Sequence, residues 1–136
     1  MGDATFIGPP LNDLEKKKYV NQEKGMEYAI RGAKRGLSDS ALLAAKYSII
    51  IWENFSDGYF WYLIAESILY SSGFAAPKYQ VIENAIETLS LTEKIDLCDR
   101  ALGFTSRYGV GDPRPTILRK MRLEEERKTL AQAEKS

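Results

Sequence analysis

Two long apolar segments stand at the centre of the chain. Residues 41–52 and 59–70 are almost wholly apolar, and the more polar residues 53–58 separate them. A helix that is apolar nearly all round is normally buried, so this pattern predicts a central helical hairpin over residues 41–70. Four side chains of the hairpin are expected to lie deep in the core: Ile50, Trp52, Phe60 and Ile64.

The flanking segments have one apolar and one polar side, which is typical of helices packed around such a hairpin. A first helix is predicted from about residue 12 to Arg35, and another begins near Pro77. The capping-box pattern from Ser90 to Glu93 predicts the start of a further helix, which Gly103 would end. Residues 117–133 predict a last, densely charged helix. With no strand pattern, the predicted fold class is all-α: a compact bundle of five or six helices around the central hairpin.

Two segments depart from this helical pattern. Residues 1–10 predict a flexible tail, and residues 11–136 a single helical domain. Residues 104–116 contain two glycines and two prolines, which predict an irregular loop, longer than the usual connection between bundle helices. Two interpretations of the loop stay open. It is a hinge before the last helix, or a binding loop that presents Arg107, Tyr108 and Arg114.

The composition limits the chemistry that the chain can perform. Its 136 residues include no histidine and one cysteine. Nucleophilic catalysis by Ser-His or Cys-His pairs requires histidine, as do di-iron sites built from Glu-x-x-His motifs. Structural zinc sites require several Cys or His ligands. We therefore expect no catalytic residues, no metal, no cofactor and no enzymatic activity.

The apolar segments are too short and too interrupted to predict a membrane protein. Charged residues break both of them before they reach the roughly 20 apolar residues of a membrane-spanning helix. Residues 1–10 lack the basic start and the apolar stretch of a signal peptide. The sequence predicts a cytoplasmic protein without a membrane span.

A polar stripe on the second apolar segment is the strongest candidate for a contact site. Tyr59, Tyr62, Glu66 and Tyr70 are spaced 3, 4 and 4 residues apart and fall on one side of a helix. If Glu66 is buried, it needs a hydrogen-bonding partner, because an unpaired buried carboxylate is strongly destabilising. Three interpretations of the stripe stay open. It is a surface that meets a partner, where tyrosine is enriched, a pocket for a polar ligand, or a partly exposed edge whose hydroxyl groups reach water.

Basic side chains form a second candidate surface on the first predicted helix. They are Lys17, Lys24, Arg31 and Arg35. Such a basic ridge suits phosphate contacts, but it also suits a helix face that is simply solvated. Because the chain has a formal net charge of zero, nucleic acid is not the expected partner.

These observations favour a small non-catalytic interaction protein: a regulatory, adaptor or accessory subunit that contacts another protein, a second copy of itself as a homodimer, or both. The alternative is a bundle that binds a small molecule in a pocket between the second and third predicted helices, lined by the aromatic side chains of Trp52, Phe55, Phe60 and Trp61. Nucleic-acid binding through the basic ridge is the third interpretation.

Overall fold

The computed structural model describes the backbone of residues 13–135 and the side chains of residues 21–135. Within this part of the chain there are six helices and no strand: α1 (Asp13–Lys34), α2 (Ser38–Ile50), α3 (Phe55–Ser71), α4 (Gln80–Glu87), α5 (Leu91–Tyr108) and α6 (Arg114–Lys135). The protein is thus an all-α bundle, as predicted. The tail predicted over residues 1–10 and the side chain of Lys17 lie outside the described residues.

The α2–α3 hairpin forms the centre of the bundle. Every side chain from Tyr59 to Ala65 is buried, and α3 packs against α2, α4, α5 and α6. The two helices approach closely at Gly58, where a Cβ atom would collide with the Ile49 side chain. Residues 55–58, part of the more polar segment between the two apolar ones, form the first turn of α3. Asn54 is the N-cap, because its side chain accepts a hydrogen bond from the Asp57 backbone N–H at 3.0 Å.

Three of the four predicted core side chains are buried, and one prediction was wrong. Trp52, Phe60 and Ile64 are 7%, 9% and 0% exposed, whereas Ile50 is 60% exposed. Ile50 follows the half-buried Lys46 by four residues, so both point to the same, outward side of α2. The helix ends at Ile50, so no further turn covers that side chain.

The prediction of an irregular loop over residues 104–116 was too long at both ends. Helix α5 continues through Gly103 to Tyr108, and α6 already begins at Arg114. Phe104 accounts for the extension of α5, because its ring packs edge to face on Phe60 and Trp61, with centroids 5.8 and 5.4 Å apart. The helix ends at Gly109, which adopts the left-handed conformation (φ +62°).

The first half of α6 docks on the bundle. The Ser67 and Thr116 hydroxyl groups are 3.2 Å apart in the interior, and Leu123 is buried. All described side chains of residues 124–135 are exposed. The last three turns of α6 are therefore not part of the described core.

Candidate binding cleft between α3 and α6

Glu66, the carboxylate of the predicted stripe, forms an ion pair with Arg119 of α6. The Arg119 Nη2 atom lies 2.6 Å from Glu66 Oε2, and the Nε atom 3.4 Å from Oε1. The two side chains remain 19% (Glu66) and 34% (Arg119) exposed. Burial alone would lower the pKa of Arg119, but the charge and hydrogen bonds of Glu66 outweigh it and raise this pKa. The Glu66 carboxylate thus has the ion-pair partner that a carboxylate on an otherwise apolar helix needs.

Two tyrosines of the stripe lie in the interior rather than on a contact face. Tyr59 and Tyr62 are 1% and 4% exposed. The Tyr62 hydroxyl donates a hydrogen bond to the Pro77 carbonyl at 3.2 Å and so ties the α3–α4 connection to α3. Burial raises the pKa of both phenols, which keeps them protonated. The helical spacing was interpreted correctly, but α4, α5 and α6 cover the side of α3 that carries these two rings.

The outer end of the stripe opens into a cleft of about 540 Å³ between α3, the α3–α4 connection, α4 and α6. Tyr62, Glu66 and Arg119 form its inner part. Its rim carries three large side chains that are substantially exposed: Tyr70 (45%), Phe74 (65%) and Leu118 (52%). We call this feature the α3–α6 cleft. Apolar side chains border the cleft, and the Glu66–Arg119 ion pair lies at its base. The two charges of this pair neutralise each other.

Lys78 and Arg122 add positive charge to the lining of the cleft. Among the described side chains, no carboxylate lies within ion-pair distance of either cation. Glu83, which also lines the cleft, supplies negative charge on the α4 side. The cleft can therefore accept a ligand that combines an apolar group with an anionic one.

Several residues of this cleft were not among those predicted from the sequence: Phe74, Lys78, Leu118, Arg119 and Arg122. A carboxylate in an apolar helix does indicate that some cation must face it. The last predicted helix offers many cations, however, and helical spacing within α3 does not distinguish between them. The choice of Arg119 depends on how α6 crosses α3.

Arg114 lies beside the cleft and contacts Tyr70. Its guanidinium carbon is 5.2 Å from the centre of the Tyr70 ring, and its Nη2 atom is 2.6 Å from the Asp112 carboxylate. Hydrogen bonds from Arg114 lower the pKa of Asp112. Two predicted contact residues, Tyr70 and Arg114, are thus brought together at the start of α6.

The remaining predicted residues lie at a different place. Arg107 and Tyr108 end α5. The Tyr108 ring contacts the Arg107 guanidinium group and the ammonium group of Lys34, which lies at the end of α1. Arg31 and Arg35 of the predicted basic ridge are exposed nearby, as is Lys24 further back along α1. Lys34 belongs to this surface but was not predicted as part of it.

The aromatic side chains proposed to line a pocket between α2 and α3 pack against other rings. Phe60 and Trp61 meet edge to face with centroids 4.8 Å apart, and Trp52 contacts Tyr47 in the same geometry at 6.4 Å. Phe55 packs, partly buried, against the core. These contacts are typical of a filled interior. The cleft that the structure does contain is lined from α3 and α6.

The only cysteine is buried next to this site. Cys98 of α5 is 0% exposed, and burial raises the pKa of its thiol to about 11. Because the thiolate is the nucleophilic form, Cys98 is unreactive at neutral pH. Among the described residues, no group of three or more His, Cys, Asp or Glu side chains is arranged to hold a metal ion.

None of the helices in residues 13–135 has the length and apolar character required to cross a membrane. The chain matches no protein-family model, no curated protein and no solved structure.

Proposed function

We propose that this protein is a non-catalytic interaction protein that binds a short segment of another protein in the α3–α6 cleft. The observation that carries the proposal is the apolar rim of the cleft, where Tyr70, Phe74 and Leu118 are each about half exposed or more. Exposed apolar groups gathered around a concave surface are typical of sites where proteins meet.

The charges of the cleft define the chemistry of the bound segment. Glu66 and Arg119 already neutralise each other, whereas Lys78 and Arg122 have no described carboxylate within ion-pair distance. The complementary segment therefore carries an acidic side chain for these cations. It also carries an aromatic or aliphatic side chain that packs against Phe74 and Leu118.

The non-catalytic part of the proposal rests on the state of the ionisable groups. Tyr59 and Tyr62 are held protonated by burial, and Cys98 is a buried thiol. Arg119 is engaged by Glu66. A group that acts in proton transfer or nucleophilic attack must reach a substrate in the appropriate protonation state. Of these groups, only the Glu66–Arg119 pair reaches the cleft with appreciable exposure.

Selection from a library of random 12-residue peptides displayed on phage tests this proposal with the full-length protein. We expect enriched peptides that combine an acidic residue with an aromatic or aliphatic one. Phe74→Ser and Arg122→Glu should each weaken binding of these peptides at least tenfold. Leu43→Ser is the matched control, because Leu43 is 41% exposed on α2, outside the residues that line the cleft.

Three results would contradict the proposal. They are a selection without enrichment, enriched peptides that bind Phe74→Ser as tightly as the parent, and equal weakening by Leu43→Ser. Sedimentation equilibrium in parallel tests self-association. A dimer that Phe74→Ser dissociates, together with a failed selection, would identify a second copy of the chain as the occupant of the cleft.

The volume of the cleft supports a second candidate function, binding of a small anionic molecule with an apolar body. About 540 Å³ lies within the usual range of roughly 300–1,000 Å³ for ligand sites. Native mass spectrometry of protein purified from its own host is the appropriate measurement. A stoichiometric adduct that disappears in Arg122→Glu would favour this function over the peptide site, and a mass equal to that of the bare chain would count against it.

A further inference from the structure

We propose a second binding surface that shares no residue with the lining of the α3–α6 cleft and is independent of its function. It binds single-stranded nucleic acid where the C-terminal ends of α1 and α5 meet. Six side chains form it, and we call it the basic–tyrosine surface: Tyr28, Arg31, Lys34, Arg35, Arg107 and Tyr108.

Each tyrosine ring of this surface contacts at least one of its cations. Lys34 Nζ lies 5.2 Å from the centre of the Tyr108 ring, and the Arg107 guanidinium carbon lies 5.4 Å from the same ring. On α1, the Arg31 guanidinium carbon is 5.7 Å from the Tyr28 ring. Cations together with aromatic faces are the elements with which proteins follow a phosphate backbone and stack unpaired bases.

Among the described side chains, none forms an ion pair with the four cations of this surface, because no carboxylate lies within 4 Å of any of them. Glu27 and Asp39 are neighbours in sequence, yet neither is within that distance. Three of the cations lie in or next to the last turn of α1, and Arg107 lies in the last turn of α5. At these helix ends the backbone carbonyls point outward and favour positive charge, which offsets the repulsion between the cations.

A groove next to these side chains has room for a strand. Its volume is about 530 Å³, and its lining includes Tyr28, Arg31, Lys34 and Arg35 but no acidic residue. Gly32 permits the close contact between α1 and the start of α2 at its base, because a Cβ atom there would lie only 2.1 Å from the Ser40 Oγ atom. The nearby charged side chains determine the electrostatic potential in the groove, because mobile ions screen charges that are more than roughly 8 Å away. The zero net charge of the whole chain therefore does not oppose anion binding here.

The exposed ring of Tyr28 favours nucleic acid over an anionic membrane. Tyr28 is 68% exposed, a position in which a base can stack on its face. The single exposed aliphatic side chain of the groove, Leu37, offers little apolar area for insertion between lipids. Stacking also favours single strands, because bases in a duplex have no free face.

Fluorescence anisotropy with a fluorescein-labelled 15-nucleotide single strand, in RNA and DNA form, tests the proposal. If four phosphates are neutralised, the slope of log K against log salt concentration should be about −3, and Lys34→Ala/Arg107→Ala should reduce it by about half. Tyr28→Ala should weaken binding roughly 5- to 150-fold without changing this slope. Tyr28→Phe, which retains the ring, should bind like the parent protein.

Arg127→Ala/Lys128→Ala is the matched control. It removes the same charge from the exposed half of α6 and should leave binding unchanged. All substituted side chains in these variants are exposed or half-exposed, so the fold should persist, and circular dichroism verifies this. Absence of binding at low salt, equal weakening by the control, or tighter binding of the corresponding duplex would overturn the proposal. Binding to vesicles containing phosphatidylserine but not to either oligonucleotide would identify a membrane surface instead.

Discussion

The Glu66–Arg119 ion pair is expected to contribute substantially to stability, because it joins α6 to the central helix. Removing one partner of a fully buried pair typically costs about 3–5 kcal/mol. Here the side chains of Glu66 and Arg119 remain 19% and 34% exposed, so water compensates for part of the lost interaction. We therefore expect Glu66→Gln to lower the free energy of unfolding by about 2–3 kcal/mol. For a chain of this length, that corresponds to about 8–12 °C in melting temperature.

A double-mutant cycle separates the pair from its surroundings. Glu66→Gln, Arg119→Gln and the double variant are unfolded in urea, with the fluorescence of the two tryptophans as the signal. We expect a coupling energy of about 2 kcal/mol, because hydrogen bonds to charged groups contribute roughly 1.5–3 kcal/mol. Glu66→Arg should be more destabilising than Glu66→Gln, since it places two guanidinium groups together. Adding Arg119→Glu to Glu66→Arg should restore part of the loss.

The exposed pair formed by Asp112 and Arg114 is the control for this cycle. It has the same chemistry and the same shortest distance of 2.6 Å, but the Arg114 side chain is 69% exposed. Its coupling energy should be much smaller than that of the Glu66–Arg119 pair, as for other exposed pairs. Equal coupling energies in the two cycles, or a Glu66→Gln variant that melts like the parent, would refute the claim that this pair fastens α6 to α3.

Three further predictions concern packing, backbone conformation and local stability. Ile64→Ala should cost about 2–5 kcal/mol in urea unfolding, whereas Ile50→Ala, at an exposed position, should stay within about 0.5 kcal/mol. Gly111→Ala should lower the melting temperature more than Gly109→Ala. Both glycines have positive φ, but only at Gly111 would a Cβ atom lie 2.9 Å from the backbone of α3. Amide hydrogen exchange should be fast over residues 124–135 and slow in α3, because the side chains of residues 124–135 are exposed whereas most of those in α3 are buried; comparable protection would indicate a contact that covers the second half of α6.

Local patterns in the sequence were sufficient to predict the helices and the central hairpin. The capping box at Ser90 and Glu93 is confirmed, with both of its hydrogen bonds at 3.1 Å, because a cap is formed within four consecutive residues. The same applies to the apolar segments that became α2 and α3, since burial on all sides requires apolar residues all round. Ile50 was wrongly predicted to be buried, although it follows Lys46 by four residues and therefore lies on the outward side of α2.

The candidate sites, in contrast, depend on contacts between residues far apart in the chain. Spacing placed Tyr59, Tyr62 and Glu66 on one side of a helix, but only the positions of α4, α5 and α6 decide that this side is covered. The position of α6 also decides that Arg119 pairs with Glu66. Likewise, Phe104 continues a helix through Gly103 because Phe60 and Trp61 are there to receive its ring. Lys34 and Tyr108 meet because α1 and α5 end at the same place. Periodicity reports the direction of a side chain relative to its own helix, and the packing of the helices determines what it meets.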